Sequence, residues 1–327
     1  MTATNSLDTS IIADSSDSLD ASSYVGRFAP SPTGPLHFGS LLAALASYLE
    51  ARIAGGSWLL RIEDLDPPRE DPTAADSILK VLDGYGLHWD GEVRYQSQRH
   101  EAYVETLQQL IASGDAFPCV CSRKQLTGLL HLDGQCVADQ PQFSTSHPDL
   151  NMACAWRFRV SAAQQQPLFF NDALQGRFGL SPACDIGDFV IRRRDFLWSY
   201  QLAVITDDHD QGINHVVRGI DLIDSTQRQL LMYRALGWQA PAHMHIPGAV
   251  EANGQKLSKQ NLALAIEVDE SGNTLWRALQ WLRQNPPAEL LNAGNAEVLL
   301  WALSHWHPAA LAGLQQIPAP TDFQRPC

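Results

Sequence analysis

The chain has 327 residues, of which 45% are hydrophobic and 18% are charged, a composition typical of a globular protein with about two domains. Its formal net charge of −13 excludes nucleic-acid binding through overall charge, so such binding would need a local basic patch. No apolar run reaches the ~20 residues of a membrane-spanning helix, and six cysteines are too few for a disulfide-stabilised scaffold. We therefore expect a cytoplasmic protein without membrane association.

The chain begins with a low-complexity segment. Residues 1–23 hold seven Ser and four Asp but no Lys or Arg. They lack the apolar area that would offset the entropy of ordering, so we expect a disordered tail without catalytic residues. The segment also lacks the basic start and the long apolar core of a secretory signal.

Apolar and helical patterns alternate through the next part of the chain. The predicted elements, in order, are a strand at 24–30, a turn rich in Pro and Gly at 31–35, a helix at 39–53, a buried strand at 57–62 and helices at 76–85 and 99–113. A strand, a glycine turn, a helix and a strand open a Rossmann-type doubly wound parallel sheet, so the sequence predicts an α/β fold.

A small inserted subdomain is predicted where this pattern breaks. Further strands are expected at 156–160 and 189–191, the wound pattern resumes at 201–206 and 215–218, and helices are expected at 226–236, 274–283 and 288–305. The predicted divisions are a tail at 1–23, the first half of the α/β domain at 24–116, the insertion at 117–188, the second half of the α/β domain at 189–260 and a short helical C-terminal region at 261–327.

The turn before the first predicted helix has the features of a phosphate site. A glycine such as Gly39 lets the backbone approach a ligand, and a helix start offers free N–H groups and a partial positive charge. His37 adds a donor for charge that develops on phosphate. The alternative is a Pro-rich strand-to-helix turn with a capping Ser.

Lysine is rare in this chain, and two lysines stand close together. Lys256 and Lys259 are two of only four lysines among 23 basic residues. A surface loop without a special task would more often use Arg here, so we interpret the pair as mobile positive charge for phosphate groups. The alternative is a solvated pair of lysines in a loop.

Three cysteines in the predicted insertion suggest a structural zinc site. Cys119, Cys121 and Cys136 lie within 18 residues, and thiolates are preferred zinc ligands in a reducing compartment. A structural site needs four ligands, so three cysteines leave one position open. The alternative is three small buried thiols without a metal.

Five blocks of residues, in order along the chain, resemble the glutamyl group of the class I aminoacyl-tRNA synthetases. Residues 27–34, followed by His37-Phe38-Gly39-Ser40, resemble the HIGH signature, with Ser40 in place of its second His. Residues 256–260, Lys-Leu-Ser-Lys-Gln, resemble the KMSKS loop. The other blocks are 61–66, then 200–203 continuing to 207–209, and 217–222.

This resemblance implies activation of L-glutamate with ATP and Mg²⁺. The glutamate-binding residues that it implies are Arg27, Phe28, Ala29, Pro30, Ser31, Glu63, Tyr200 and Arg218. Those implied for ATP are His37, Gly39, Ser40 and Lys259, and the catalytic set is His37, Lys256 and Lys259.

Chemistry agrees with these implied roles. A planar guanidinium matches a carboxylate in two-point contact, so Arg27 and Arg218 suit the carboxylates of glutamate, although the sequence does not assign either carboxylate to either Arg. Glu63 suits the α-ammonium and Tyr200 the side-chain carboxylate. Without the resemblance, each would be interpreted as part of an ordinary ion pair or core.

The resemblance to ordinary glutamyl-tRNA synthetases stops near residue 260. Residues 261–327 are too few for the helical domain with which those enzymes read the anticodon. A catalytic half with a Cys-x-Cys insertion resembles the glutamyl-Q tRNA(Asp) synthetase family, which esterifies glutamate onto queuosine in the anticodon of tRNA(Asp). The implied partner is tRNA(Asp) carrying queuosine, and we expect a monomer. The alternatives are a truncated glutamyl-tRNA synthetase that charges the acceptor end and a non-catalytic tRNA-binding paralogue.

The same family places a Tyr as fourth zinc ligand, four residues before the last Cys. This chain has Leu132 there, which cannot bind zinc. His131 is the nearest substitute, and Cys154 lies farther along the chain.

Two charged segments have less specific interpretations. We interpret residues 207–210, Asp-Asp-His-Asp, as a turn whose acidic side chains bond local backbone. The basic concentration is either a local contact for tRNA phosphates or a solvated strand edge. It comprises Arg157, Arg159, Arg177, Arg192, Arg193 and Arg194.

Overall fold

The computed structural model describes residues 23–122, 124–126, 131–132, 134–136, 150, 152–161, 167–251 and 264–324. The α-helices in these ranges are α1 (Phe38–Ile53), α2 (Ala74–Gly84), α3 (His100–Ala112), α4 (Tyr200–Asp210), α5 (Ile223–Leu236), α6 (Ser271–Trp281) and α7 (Asn295–His305). The strands are β1 (Val25–Phe28), β2 (Ser57–Ile62), β3 (Arg94–Tyr95), β4 (Ala116–Cys119), β5 (Ala155–Phe158), β6 (Leu168–Asp172), β7 (Gly176–Leu180), β8 (Phe189–Arg192), β9 (His215–Gly219), β10 (Ala242–Ile246), β11 (Gly248–Val250) and β12 (Gln316–Pro318).

The first parallel sheet and helix α1 form the main core. Strand β2 pairs in parallel with β1 on one side and with β3 on the other, and α1 connects β1 to β2, as a parallel crossover requires. Leu41, Leu45 and Leu49 of α1 are fully buried. Trp58 of β2 donates a hydrogen bond of 2.9 Å to the Ser47 hydroxyl, which satisfies a polar group inside this interface.

A second parallel pair, β9 and β10, lies beside the first sheet. Asn214, which precedes β9, accepts a hydrogen bond from the Val25 amide at 2.8 Å and donates its own amide to the Val25 carbonyl at 3.1 Å. The hairpin of β6 and β7 extends this sheet, because Asp172 at the end of β6 pairs with His243 of β10. The predicted α/β class with a parallel sheet is confirmed.

An antiparallel sheet of β4, β5 and β8 packs with α3, α4 and α5 around a second core. Tyr103, Phe158, Trp198 and Leu202 are buried there. The strands predicted at 156–160 and 189–191 and the helix predicted at 226–236 are found as β5, β8 and α5 with shifted ends.

The helix predicted at 288–305 is wrong as a single element. A short 3₁₀ turn covers Ala288–Asn292, and α7 begins only at Asn295. Between them Ala293 and Gly294 are extended, and this backbone lies so close to Gly272 of α6 that a Cβ there would approach the Ala293 oxygen to 2.2 Å. Close packing against α6 therefore interrupts the helix.

The predicted disordered tail lies outside the described residues except for Ser23. Among the helices that the structure describes, none combines the length and apolar character needed to span a membrane.

Candidate active site

A cleft of about 300 Å³ opens where the parallel strands end. Because the carboxyl ends of β1, β2, β9 and β10 meet at one edge, the cleft lies where α/β sheets bind ligands. All the predicted glutamate- and ATP-site residues that the structure describes line it, namely Arg27, Phe28, Ala29, Pro30, Ser31, His37, Gly39, Ser40, Glu63, Tyr200 and Arg218. The structure thus brings together residues as far apart in the chain as Arg27 and Arg218, which 191 positions separate.

The N-terminal end of α1 faces this cleft. His37 is the N-cap residue, and its ring accepts a hydrogen bond of 3.4 Å from the Ser40 amide. The first turn of α1 holds no acidic residue, so its partial positive charge is not neutralised within the helix. Gly39 and Ser40 line the cleft at this end, which suits an anionic group.

The predicted catalytic lysines Lys256 and Lys259 lie outside the described residues. The segments on both sides of 252–263 reach the first helix turn and the cleft. Ala249 lines the cleft, and Ala265 forms an antiparallel β-bridge with His37.

Asp208 at the end of α4 binds two arginines beneath the cleft. Its Oδ1 accepts hydrogen bonds from Arg27 Nε at 3.1 Å and from Arg61 Nη2 at 2.7 Å, and all three side chains are at least 95% buried. Burial alone would raise the pKa of Asp208, but the charges of Arg27 and Arg61 outweigh it and lower that pKa. Asp208 therefore carries a negative charge that fixes the orientation of both guanidinium groups.

Asp207 joins the same helix end to α3 and to the residues before it. Its carboxylate accepts hydrogen bonds from Gln96 Nε2 at 2.8 Å, from the Tyr103 hydroxyl at 2.7 Å and from Arg99 Nε at 3.1 Å. The predicted turn at 207–210 is therefore wrong. These residues are the last turn of α4, and Asp207 and Asp208 bond side chains of distant elements rather than local backbone, because arginines are available there to pair with them.

Glu63, directly after β2, is the cleft carboxyl group that lacks a full set of partners. Its Oε1 is buried without a hydrogen-bond partner and lies 3.7 Å from Arg61 Nη2. Loss of solvation on burial raises the pKa of Glu63 to about 7, against the opposing effect of the Arg61 and Arg27 charges. A cationic ligand group beside Glu63 would supply the missing partner and favour the ionised carboxylate.

Arg218 and Tyr200 form a second polar wall of the cleft. The guanidinium of Arg218 donates to the Tyr200 hydroxyl from Nη1 at 3.1 Å and to Thr226 and Gln229 from Nη2 at 2.7 and 3.0 Å. Since Tyr200 accepts in this contact, its own O–H can donate to a ligand. The second hydrogen on Arg218 Nη1 has no partner among the described residues. This N–H and the Tyr200 O–H therefore suit a single anionic group.

A wider cleft of about 640 Å³ adjoins this site. The two clefts share Ser31, Thr33, Glu63 and Tyr200. The wider one is lined in addition by charged residues and an aromatic ring, including Asp66, Arg69, Glu70, Arg193 and Trp198. A second, larger ligand could therefore meet the contents of the first cleft at these shared residues.

Cys119, Cys121, His131 and Cys136 converge in the predicted insertion, with all four ligand atoms within 4.8 Å of one another. His131 Nε2 lies 3.6, 3.9 and 3.2 Å from the three sulfur atoms in that order. A tetrahedral zinc site with one nitrogen and three sulfur ligands has N···S separations of about 3.5 Å. The ring's Nδ1 lies 2.8 Å from the buried Asp188 carboxylate, the contact that usually orients a ligating His. The four residues therefore fit a metal ion.

The predicted basic patch is only partly exposed. Arg192 is 5% exposed, donates to the Leu150 carbonyl at 2.6 Å and stacks on Trp198, so it does not form part of an open surface. Arg193 and Arg194 are exposed, and Arg193 lines the wider cleft.

Sequence reasoning missed the acidic residues that orient the arginines. A helical pattern that ends in two adjacent acidic residues, Asp207 and Asp208, after the apolar residues Leu202–Ile205 was the available signal, since an acid on a buried helix needs a cationic partner. No local signal identified Arg61 as that partner, because 147 positions separate it from Asp208.

We expect Asp208→Asn to lower the free energy of unfolding at pH 7 by about 3–5 kcal/mol, because it leaves two buried guanidinium groups without their shared anion. Asp195→Asn is the matched control, since Asp195 pairs with Arg193 at an exposed position and its loss should have a much smaller effect. Urea denaturation of the three proteins measures the difference. Equal losses in the two variants would contradict the role of Asp208.

The same comparison has a predicted pH dependence. Because the folded-state pKa of Asp208 is lowered, its stabilising contribution is present above the unfolded value of about 3.9 and is lost as the pH falls through the folded value. The difference between wild type and Asp208→Asn should therefore be full at pH 7 and shrink below about pH 4.

Comparison with known proteins agrees with this geometry. Residues 24–279 match the family model for the catalytic domain of class I tRNA synthetases (E and Q). The chain is 49% identical over 299 residues to the glutamyl-Q tRNA(Asp) synthetase of Chromobacterium violaceum, covering 90% of this chain and 98% of that protein. It is 46% identical over 297 residues to the protein of that name from Pseudomonas aeruginosa, covering 91% and 98%.

A solved structure shows the same fold. The glutamate tRNA ligase of Elizabethkingia meningosepticum superposes with a TM-score of 0.74 at 23% identity, over 92% of this chain and 68% of that one. With the family model and the relatives of similar length, this likeness leads to one conclusion: the chain belongs to the class I aminoacyl-tRNA synthetases, within the glutamyl-Q tRNA(Asp) synthetase family, and it is a ligase.

Proposed function

We propose that this protein activates L-glutamate with ATP as glutamyl-adenylate and transfers the glutamyl group to queuosine in the anticodon of tRNA(Asp). The observation that carries the proposal is the single cleft that joins Arg27, Glu63, Tyr200 and Arg218 to the N-terminal end of α1. A site with anion donors, the carboxyl group of Glu63 and a helix start is complementary to an amino diacid beside a nucleotide. The relatives, which are named glutamyl-Q tRNA(Asp) synthetases, support this choice of acceptor.

Glutamate would be held at three points in this cleft. Glu63, whose Oε1 has no hydrogen-bond partner, would bind the α-ammonium. Arg218 and Tyr200, which offer two converging donors, would bind the side-chain carboxylate. Arg27 is held through Nε by Asp208, so its Nη groups would bind the α-carboxylate and leave one oxygen to react.

Activation would then take place at the start of α1. An oxygen of the α-carboxylate attacks the α-phosphorus of ATP, and the bond to pyrophosphate breaks. The amide of Gly39 and the ring of His37 would stabilise the phosphate charge at this helix start, which Ser40 also lines, and Lys256 and Lys259 would add positive charge from the segment that follows β11. We infer that Mg²⁺ accompanies the nucleotide and neutralises part of its charge.

The wider cleft provides a route for the acceptor. A hydroxyl of the cyclopentene diol of queuosine attacks the activated carbonyl carbon, and AMP leaves. The residues shared by both clefts, Ser31, Thr33, Glu63 and Tyr200, stand where these two groups would meet. Exposed Arg193 and Arg194 are candidates for contacts with anticodon phosphates.

We also infer a Rossmann-type arrangement for the whole parallel sheet. The bonds between Asn214 and Val25 support a continuous order β3-β2-β1-β9-β10. The division of the chain at 24–116, 117–188, 189–260 and 261–327 stays a proposal. So does zinc as the metal held by Cys119, Cys121, His131 and Cys136, where it would supply structural stability.

The raised pKa of Glu63 predicts that glutamate binding depends on pH. Below about pH 7 the neutral acid cannot pair with an ammonium group, so the glutamate KM should fall about tenfold between pH 6 and pH 8 as Glu63 ionises. In Glu63→Gln the KM should be high and nearly independent of pH, with the ATP KM almost unchanged. Pyrophosphate exchange from pH 6 to pH 8 measures the glutamate KM and the ATP KM. If the glutamate KM of Glu63→Gln changed with pH as that of the wild type does, the assignment would be contradicted.

The position of His131 among the three cysteines predicts that this residue contributes to zinc affinity. His131→Ala should weaken zinc binding by more than about 100-fold, since even partners outside the ligand shell contribute about 10- to 100-fold. Competition with a chromogenic zinc chelator measures this, and Cys184→Ser, which alters an exposed thiol outside the cluster, should have no effect. Wild-type protein purified without chelator and containing no zinc would refute the site.

The acceptor assay tests the proposed function itself. Labelled glutamate should be transferred to tRNA(Asp) with queuosine, and transfer should be absent with queuosine-free tRNA(Asp) and with tRNA(Glu). Nuclease mapping locates the labelled nucleotide. Label on the 3′ adenosine of tRNA(Glu) would instead identify a truncated glutamyl-tRNA synthetase.

A further inference from the structure

A buried row of three side chains connects the β6–β7 hairpin to the glutamate cleft. His245 Nδ1 lies 2.6 Å from Asp172 Oδ2, and His245 Nε2 lies 3.0 Å from Arg218 Nε. The side chains of Asp172 and His245 are both 0% exposed, whereas Arg218 lines the cleft. The row therefore reaches the cleft only through Arg218.

Hydrogen-bond chemistry fixes the state of the middle residue. An Arg can only donate, so His245 Nε2 must accept from Arg218 Nε–H and carry no hydrogen of its own. The single ring hydrogen is then on Nδ1 and is donated to Asp172. Burial lowers the pKa of His245 despite the opposing effect of Asp172, in agreement with a neutral ring.

The contacts of Arg218 show what this arrangement does. Thr226 and Gln229 accept from Nη2, Tyr200 accepts from Nη1 and His245 accepts from Nε. Among the described residues, one Nη1–H is left for a ligand in the cleft. His245 is the acceptor on Nε, so together with the Nη2 acceptors, which also include the Leu222 carbonyl at 3.3 Å, it fixes the guanidinium plane and the direction of that remaining donor.

We propose that Asp172 and His245 are positioning residues that orient Arg218 for the side-chain carboxylate of glutamate. This inference rests on the proposed function, because it assigns Arg218 to that carboxylate. It also gives the hairpin a role at the site. Asp172 lies at the end of β6 and accepts the Leu174 and Gln175 amides at 3.0 and 2.9 Å, so the hairpin turn holds the carboxylate in place.

Kinetics of three variants test the proposal. His245→Phe removes the acceptor and should raise the glutamate KM about 10- to 100-fold, as expected for a lost hydrogen bond to a charged group, with the ATP KM within twofold of wild type. His245→Gln, whose amide oxygen can accept from Arg218, should recover most of the loss. His243→Phe is the control, because His243 is buried on the same strand and makes no hydrogen bond to Arg218.

Pyrophosphate exchange is measured first with glutamate and then with ATP as the varied substrate, which gives the two KM values separately. An unchanged glutamate KM in His245→Phe, an equal rise in both KM values, or the same change in His243→Phe would each overturn the proposal.

A second measurement does not depend on activity. The ¹⁵N chemical shifts of His245 in labelled wild-type protein should show a neutral ring with hydrogen on Nδ1, and hydrogen on Nε2 or a charged ring would overturn the proposal. If wild-type protein lacks glutamate-dependent exchange, the proposed function fails, and these shifts still decide whether the row of Asp172, His245 and Arg218 exists as described.

Discussion

The site depends on two adjacent carboxylates at the end of one helix. Asp207 and Asp208 are buried, and they bind arginines from β1, β2 and the segment before α3. Negative charge at a helix C-terminus opposes the helix dipole, so these acids are stable there only because the arginines neutralise them. Replacing the pair by apolar residues would leave Arg27 of the cleft, and the buried Arg61 beside it, without an anionic partner. The ion pairs are therefore retained for the position of the guanidinium groups rather than for stability alone.

The two arginines that line the cleft are held in the same way. Arg27 is held through Nε by Asp208, and Arg218 is held through Nε by His245. In both, the contact uses Nε and leaves the Nη groups for other partners, and at Arg218 one Nη1 hydrogen remains for a ligand. Fixing a side chain before the ligand arrives reduces the entropy lost on binding and the reorganisation needed during reaction. Glu63 contrasts with them, because its buried Oε1 has no hydrogen-bond partner and its pKa is raised to about 7.

Sequence reasoning predicted the parts of the site that are local in the chain. The strand, turn and helix from Val25 to Ile53 and the contents of the first cleft followed from motifs within single blocks, and the cleft residues do lie together. The residues that hold the cleft arginines in place were missed, because they are distant in the chain. Asp208 is 181 positions from Arg27, and Asp172 is 73 positions from His245. The turn predicted at 207–210 failed for a related reason, because the partners that stabilise an acidic run at the end of a helix are distant in the chain. His131, named on proximity to the cysteines, does lie among them.

We expect the cleft above Asp207 and Asp208 to select a single amino acid. The most direct measurement is ATP–pyrophosphate exchange by the wild-type protein with each of the twenty amino acids in turn, with bulk tRNA present. We expect exchange with glutamate alone, and little or none with glutamine or aspartate, because the converging donors of Arg218 and Tyr200 require a carboxylate at the length of the glutamate side chain. Equal exchange with glutamine, or no exchange with any amino acid, would contradict it.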